Sequence, residues 1–253
     1  MVKIPIRSVL TSLCSLGILT LTQVSHAQSM TFLITLENLT NSAANSGQPF
    51  SPSVFATHNS SLSFWDAGSP ASFGLQQIAE EGNNAPFLSD LALAGSAIGT
   101  TRTLGAPTMP GQSVTFAITT DASHRFLSSV WMLGRTNDGF SGNRSFDLMT
   151  VGNAPVVLNL IALDAGTEVN NEQNAYLPAR GGVFNDPENG VVDIHPGLRG
   201  SSDPTSDVPD SWKWTGAVAR LTITAAPEPG TLALFLLAPV ALTLRRKRIL
   251  VKN

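Results

Sequence analysis

Oxygen-bearing side chains are concentrated in the stretch LDAGTEVNNE, whose first residue, Leu163, is also the last residue of the apolar run VVLNLIAL. The stretch contains three acids and two amides: Asp164, Glu168, Asn170, Asn171 and Glu172. Carboxylate and amide oxygens are the hard ligands that Ca²⁺ prefers. The same groups could form an acid–base pair or a solvated loop, so composition alone leaves three interpretations open.

A second acidic turn, RTNDGF, occupies residues 135–140 between two predicted strands. Asp164 and Glu168 are four residues apart, and a tight turn around Gly166 could aim both carboxylates at one point. If the two turns meet, Asp138 joins them, and three carboxylates repel one another strongly unless a cation lies between them. Neither turn matches the EF-hand loop. The spacing therefore fits either a metal site or a solvated acidic surface.

Residues for catalysis are not arranged in a recognisable pattern. His58, His124 and His195 lack zinc-site spacing, and GFSGN lacks the final glycine of a nucleophile elbow. We expect His58 to be structural at a strand end and His195 to be exposed. Adjacent Glu80 and Glu81 point in different directions, which is typical of a solvated helix end. No nucleotide-binding motif is present, and the sequence predicts a non-enzyme.

Two tryptophans offer a different chemistry. Trp212 and Trp214 are two apart in SWKWTG, so on a strand they would share one face and could stack on a sugar. The alternative is packing in or beside the core, where Trp usually lies.

The elements that would position these residues are mostly strands. Apolar, β-favouring runs bounded by turn formers predict strands at residues 30–39, 113–119, 126–133, 145–151, 156–163 and 218–225. Helices are expected over residues 86–98 and 73–80, and a long irregular loop over residues 183–210. Without βαβ alternation, this pattern predicts an all-β, antiparallel sandwich with one or two short helices.

The ends of the chain read as targeting segments. Residues 1–27 combine a basic start, an apolar stretch and SHA before Gln28, which is typical of a cleaved signal peptide. Residues 28–226 would form one domain, with eight Lys/Arg, 17 Asp/Glu and a net charge of −9. This charge argues against nucleic-acid binding. The single cysteine, Cys14, lies in the signal, so we expect no disulfide in the domain.

Residues 227–253 contain Pro-Glu-Pro, an apolar run and the cluster RRKR. This order resembles the PEP-CTERM sorting signal of Gram-negative bacteria. The resemblance implies transient anchoring in the inner membrane, processing by an exosortase-type enzyme, and delivery to the cell surface or an exopolysaccharide matrix.

Motifs of the domain resemble, in order, those of spondin domains: FSPSVFATHN, FWDAGSPAS, IAEEGN, TNDGFSG and DAGTEVN. The resemblance covers about residues 31–222. It implies a C2-like β-sandwich that binds one Ca²⁺ through two loops, with the ligands at Asp138, Asp164 and Glu168. Asn137 and Asn170 are candidate auxiliary donors.

Two departures affect the shape of this site. Glu168 stands where Asp is common, and GF follows Asp138 where the family usually has Trp. We expect a non-catalytic, calcium-binding adhesion or matrix-interaction module that contacts extracellular polysaccharide or surface proteins. A carbohydrate-binding module and a secreted polysaccharide-active enzyme are the alternatives.

Overall fold

The computed structural model describes residues 29–226. The predicted signal peptide and sorting segment lie outside the described residues. The strands are β1 (Met30–Asn38), β2 (Val54–His58), β3 (Ile98–Thr103), β4 (Ser113–Thr120), β5 (Phe126–Met132), β6 (Gly139–Ser141), β7 (Phe146–Asp147), β8 (Val156–Leu160), β9 (Leu163–Asp164), β10 (Asp193–Ile194) and β11 (Ala219–Ala225). The α-helices are α1 (Phe73–Glu81) and α2 (Ala85–Leu93).

Two antiparallel sheets form the fold. The first has the strand order β4-β1-β11-β8, and the second has the order β10-β9-β6-β5-β2-β3, with β7 also paired to β5. The first and last long strands of the domain, β1 and β11, are neighbours in register from Phe32–Ala225 to Asn38–Ala219. The prediction of an all-β sandwich with short helices is confirmed.

The main core lies between the sheets and follows from strand periodicity. Phe32, Ile34 and Leu36 alternate along β1 and are buried, because successive side chains of a strand point to opposite faces. They share one cluster with Phe55 of β2 and Trp131 of β5. Burial of these large side chains contributes roughly 1.5–3 kcal/mol each.

The helices cover the other face of the second sheet. Ser72 caps α1 by accepting a hydrogen bond from the backbone N–H of Leu75, and Gly82 ends the helix with a φ of 64°. Leu75 and Ile78 pack with Val130 of β5 in a second apolar cluster. The second sheet is therefore buried on both faces, and β2 is buried at every position.

Several predicted boundaries were wrong for local reasons. The strand predicted over 145–151 is confined to β7, because the Asp147 side chain accepts the backbone N–H of Met149 and starts a 3₁₀ turn over Leu148–Thr150. The helix predicted over 86–98 ends at Leu93, a 3₁₀ turn follows, and Ile98 already begins β3. The strand predicted over 156–163 is divided into β8 and β9.

The segment 183–210 is mostly irregular, as predicted, apart from short turns and β10. It supplies Leu198 and Val208 to a small third cluster with Leu177 and Trp212. Within residues 29–226, no helix has the length and apolar character needed to cross a membrane.

Candidate functional site

Strands β6 and β9 bring the two acidic turns together. Gly139 pairs with Asp164, and the backbone N–H of Ala165 donates to the carbonyl of Asp138 at 3.2 Å. The two acidic turns therefore meet, which is the condition for Asp138 to join Asp164. The sequence achieves this contact by placing one acid directly before β6 and the other at the end of β9.

Asp138 is fully buried, and its two carboxylate oxygens differ in the hydrogen bonds that they accept. Oδ2 accepts hydrogen bonds from the backbone N–H groups of Thr167 (2.7 Å) and Glu168 (3.0 Å) and from the Thr167 hydroxyl (3.2 Å). Oδ1 is buried and has no hydrogen-bond donor among the described residues. Burial and the nearby charge of Asp164 raise the pKa of Asp138 to about 6, although the hydrogen bonds to Oδ2 act in the opposite direction.

Asp164 is fixed by its own loop. Its Oδ1 accepts the backbone N–H of Gly166 at 2.7 Å, and its Oδ2 accepts a hydrogen bond from the Asn170 side-chain amide. Gly166 has a φ of +66°, and a Cβ there would lie 2.5 Å from the backbone nitrogen of Val191. The turn therefore requires glycine both for its backbone conformation and for close contact with the neighbouring segment.

Glu168 faces a different group of acids. Its side chain lines a cavity of about 30 Å³ together with Glu80 and Glu81. Burial and the charges of Glu80 and Asp138 raise its pKa to about 8, with smaller contributions from Glu81 and Asp186. Glu80 is buried and accepts a hydrogen bond from the Gln76 amide at 2.8 Å, so the prediction that both acids lie at a solvated helix end was wrong for Glu80.

Two asparagines near the site were considered as auxiliary donors. Asn170 uses its amide nitrogen on Asp164, whereas the Asn137 amide donates to Asn171 at 3.3 Å. The Asn137 carbonyl oxygen accepts the backbone N–H of Glu172 at 3.4 Å. Asn137 is thus engaged in joining the two loops, and Asn170 orients a predicted ligand.

A hard cation fits part of this arrangement. Asp138 and Asp164 repel each other, one buried oxygen has no donor, and all the candidate ligands are oxygen atoms. In the part of the chain that the structure describes, no group of three or more His, Cys, Asp or Glu side chains converges to hold a metal. The described carboxylates would therefore need backbone or amide oxygens to complete a coordination shell. The calcium site at Asp138, Asp164 and Glu168 stays a prediction.

His195 was predicted to be exposed, and this was wrong. It is buried, its ring lies 5.2 Å from that of Trp214, and its Nδ1 accepts the backbone N–H of Gly197 at 3.0 Å. Its Nε2 is buried without a partner among the described residues. Burial lowers the pKa of His195, against the charges of Asp164 and Glu172. The imidazole is thus a neutral neighbour of the acidic site and does not neutralise it.

Glu172 was predicted to be solvated, and this was also wrong. Its side chain is buried and its carboxylate accepts the backbone N–H groups of Arg199 (2.6 Å) and Gly200 (3.1 Å) and the hydroxyl of Ser206 (2.6 Å). Burial disfavours the ionised form, but these hydrogen bonds and the charge of Arg199 lower the pKa of Glu172. Glu172 therefore fastens the irregular segment to the acidic loop. No local sequence signal identifies this role.

His58 is structural, as expected: its Nδ1 lies 2.7 Å from the Asn59 carbonyl oxygen and its Nε2 lies 2.8 Å from the Ser128 hydroxyl oxygen. The pKa of His58 is lowered by burial, against the backbone hydrogen bond to Asn59. The ring is therefore held neutral within the fold.

The sugar platform considered for Trp212 and Trp214 is not formed. Trp212 is buried, and its ring is flanked by the guanidinium groups of Arg135 at 4.6 Å and Arg180 at 4.4 Å. Its Nε1 donates to the Asn45 carbonyl at 2.9 Å. Trp214 packs against His195. The alternative of core or rim packing is confirmed, because the Trp212 ring makes cation–π contacts and packs within the third apolar cluster.

Residues 42–175, slightly more than half of the chain, match the model of the Spondin_N family. The match contains both acidic turns and both α-helices, whereas β1, β10 and β11 lie outside it. A search of curated proteins finds no match. The folded unit is therefore longer than the matched region, since β1 and β11 form the centre of the first sheet.

Proposed function

We propose that this protein, which belongs to the Spondin_N family, is a non-catalytic binding module whose acidic loops are held together by Ca²⁺. Membership of the family indicates an extracellular module of the adhesion type. The single observation that carries the calcium proposal is the buried Asp138 carboxylate, which has an oxygen without a donor and lies beside Asp164.

Electrostatics supports a cation at this position. An ionised carboxylate buried next to another carboxylate is unfavourable unless protonation or a positive ion removes the repulsion. The imidazole of His195 has a lowered pKa, and Arg199 is already hydrogen-bonded to Glu172. A divalent ion would supply the missing charge, and oxygen donors favour Ca²⁺ over transition metals.

Asp138 and Asp164 would provide the central ligands. Glu168, in the loop that begins at Gly166, would provide a third ligand. When bound, Ca²⁺ supplies charge neutralisation and a fixed loop geometry. The protein's own residues hold the turns in place, because backbone N–H groups of Thr167 and Glu168 already bind Asp138 from the opposite loop.

We further propose export and sorting to the surface or matrix of a Gram-negative bacterium. The basis is sequence alone: a signal-like segment at residues 1–27 and Pro-Glu-Pro, an apolar run and RRKR within residues 227–253. The partners would be an exosortase-type processing enzyme and extracellular polysaccharide or surface proteins.

Chelation tests the calcium proposal. We expect the protein to melt at a higher temperature in Ca²⁺ than in EDTA, because a ligand at about 100 times its Kd stabilises the folded state by about 2.7 kcal/mol. For a domain of this size, that corresponds to roughly 5–11 °C. Asp164→Asn should remove the shift, whereas Glu37→Gln, an acid on the opposite sheet, should retain it. Equal melting in EDTA and Ca²⁺, or an undiminished shift in Asp164→Asn, would contradict the proposal.

The raised pKa values favour one competing function, a polysaccharide-active enzyme. A carboxylic acid with a pKa of about 8 (Glu168) beside one of about 6 (Asp138) could donate and accept protons near neutral pH. If the protein were such an enzyme, the wild type would release reducing sugar ends from a polysaccharide, and Glu168→Gln would abolish this release. Under the proposed non-catalytic function, we expect the wild-type protein to release none.

A further inference from the structure

We propose that an open cavity beside the helices binds a neutral sugar ring. The cavity has a volume of about 560 Å³ and lies between the loop of residues 62–72 and helices α1 and α2. This volume is in the range of small-molecule sites. The inference rests on the proposed non-catalytic binding role, but it does not depend on the calcium site.

The floor and one wall of the cavity are apolar and rigid. Buried Phe64 and Phe87 form the floor, with ring centroids 4.9 Å apart and an edge-on arrangement. Trp65 is braced by an edge-on contact with Phe140 at 5.3 Å. Phe73 lines the opening and is 66% exposed at the start of α1. An exposed aromatic ring beside an apolar floor provides a flat face for the C–H surface of a pyranose.

The polar lining consists of hydrogen-bond acceptors and hydroxyl groups. Asp66 and Asp90 supply carboxylates, and Ser63, Ser69 and Ser72 supply hydroxyl groups. No Lys, Arg or His lines the cavity. The carboxylate of Asp90 is exposed to solvent, and it lies close to Gly74, where an added Cβ would be 2.5 Å from Oδ2. The ligand should therefore be rich in O–H donors.

Charge narrows the ligand class further. An anionic glycan is disfavoured, because two carboxylates face the cavity and the domain has a net charge of −9. Attraction for a cationic peptide is weakened, because Arg144 already pairs with Asp66 at 2.7 Å. A purely apolar ligand would leave the acceptors at the rim without donors. A neutral hexopyranose, as a unit of a polysaccharide, matches both the aromatic face and the acceptors.

The loop that carries the rim is held in place before any ligand binds. The N–H of Gly68 donates to the Val192 carbonyl at 2.8 Å, and the N–H of Val192 donates to the Ser69 carbonyl at 2.9 Å. The Ser63 hydroxyl donates to the carbonyl of Trp65 at 2.6 Å. Because these bonds order the loop in advance, less conformational entropy is lost on binding.

Tryptophan fluorescence of the full chain tests the site, since Trp65 borders the cavity. The probes are neutral hexasaccharides of glucose, mannose and galactose, with hexagalacturonate and a Lys-Leu hexapeptide as charged comparisons. We expect saturable binding of at least one neutral hexasaccharide. Phe73→Ala and Asp90→Asn should weaken it by about tenfold each, as loss of one stacking or charged contact would.

Matched controls separate this site from general surface effects. Phe184→Ala removes another exposed ring, and Leu93→Ala changes an exposed residue of α2 outside the cavity; both should bind like the wild type. Binding of no neutral hexasaccharide at about 10 mM, binding of only the peptide or hexagalacturonate, or equal affinities of Phe73→Ala and Phe184→Ala would overturn the proposal. Shortening of the bound hexasaccharide would instead refute the non-catalytic role while leaving the site intact.

Discussion

Replacing Asp138 with Asn should stabilise the chelated protein at high pH. The fold raises the pKa of Asp138 from 3.8 to about 6 through burial and the charge of Asp164. A raised pKa means that the folded state retains the proton more strongly than the unfolded state. The resulting stability is present below pH 3.8 and is lost as the pH rises through about 6. Asn carries no charge, so the variant avoids this loss.

The magnitude follows from the shift. A change of about 2 pK units corresponds to at most about 3 kcal/mol at pH 8, or roughly 6–12 °C in Tm for a domain of this size. Asn keeps an oxygen that can accept the N–H groups of Thr167 and Glu168. It also replaces the carboxylate oxygen that has no donor with an N–H₂ group, so few favourable contacts are lost.

Urea unfolding in EDTA at pH 4 and pH 8 measures the effect. We expect Asp138→Asn to be more stable than the wild type at pH 8, with the difference much smaller at pH 4. Saturating Ca²⁺ should remove or reverse this difference in stability at pH 8, because the variant loses a proposed central ligand. Glu37→Gln, an acid in β1 of the opposite sheet, is the matched control and should show neither effect. If Asp138→Asn destabilised the chelated protein equally at both pH values, the reasoning would be refuted.

Two further predictions concern the scaffold of the site. Glu172→Ala should lower the free energy of unfolding by about 3 kcal/mol in urea titrations, because it leaves buried N–H donors unpaired. Glu188→Ala, which changes an exposed acid, should have little effect. Equal losses of stability in the two variants would exclude the proposed fastening role of Glu172. Gly166→Ala should destabilise by about 2–4 kcal/mol and abolish any Ca²⁺-induced Tm shift, because its φ is +66° and the new Cβ would meet Val191. Gly152→Ala, where a Cβ meets nothing within 4 Å, is the control, and an unaltered Tm in Gly166→Ala would show that the loop can move.

Local sequence patterns predicted those parts of the fold that are determined within a single segment of the chain. The apolar alternation over residues 30–39 predicted a strand, because strand periodicity acts within one segment, and the structure buries Phe32, Ile34 and Leu36 on one face of β1. A tight turn around Gly166 was likewise considered from the local sequence. The contact between this turn and the turn of Asp138 could be anticipated, because hairpin ends at one edge of a sheet are neighbours.

The missed features depend on contacts between distant segments. Glu172 and His195 lie in polar, irregular sequence, where exposure is the usual expectation. They are buried because the segment after residue 190 folds over the acidic loop, and the bond between Glu172 and the backbone of Arg199 spans 27 positions. Glu80 is buried for a related reason, since α1 packs against the second sheet and the acid faces Glu168.

The segment of residues 190–193 connects the two proposed sites physically. On one side, the N–H of Gly190 donates to the Gly166 carbonyl at 2.8 Å, and Asp193 pairs with Asp164. On the other side, Val192 exchanges hydrogen bonds with the loop that forms the rim of the sugar cavity. Ordering of the acidic turn by a cation would therefore also favour one position of that rim. Because this segment contacts both sites, a cation could strengthen sugar binding without contacting the sugar, and the sugar would strengthen cation binding by the same factor.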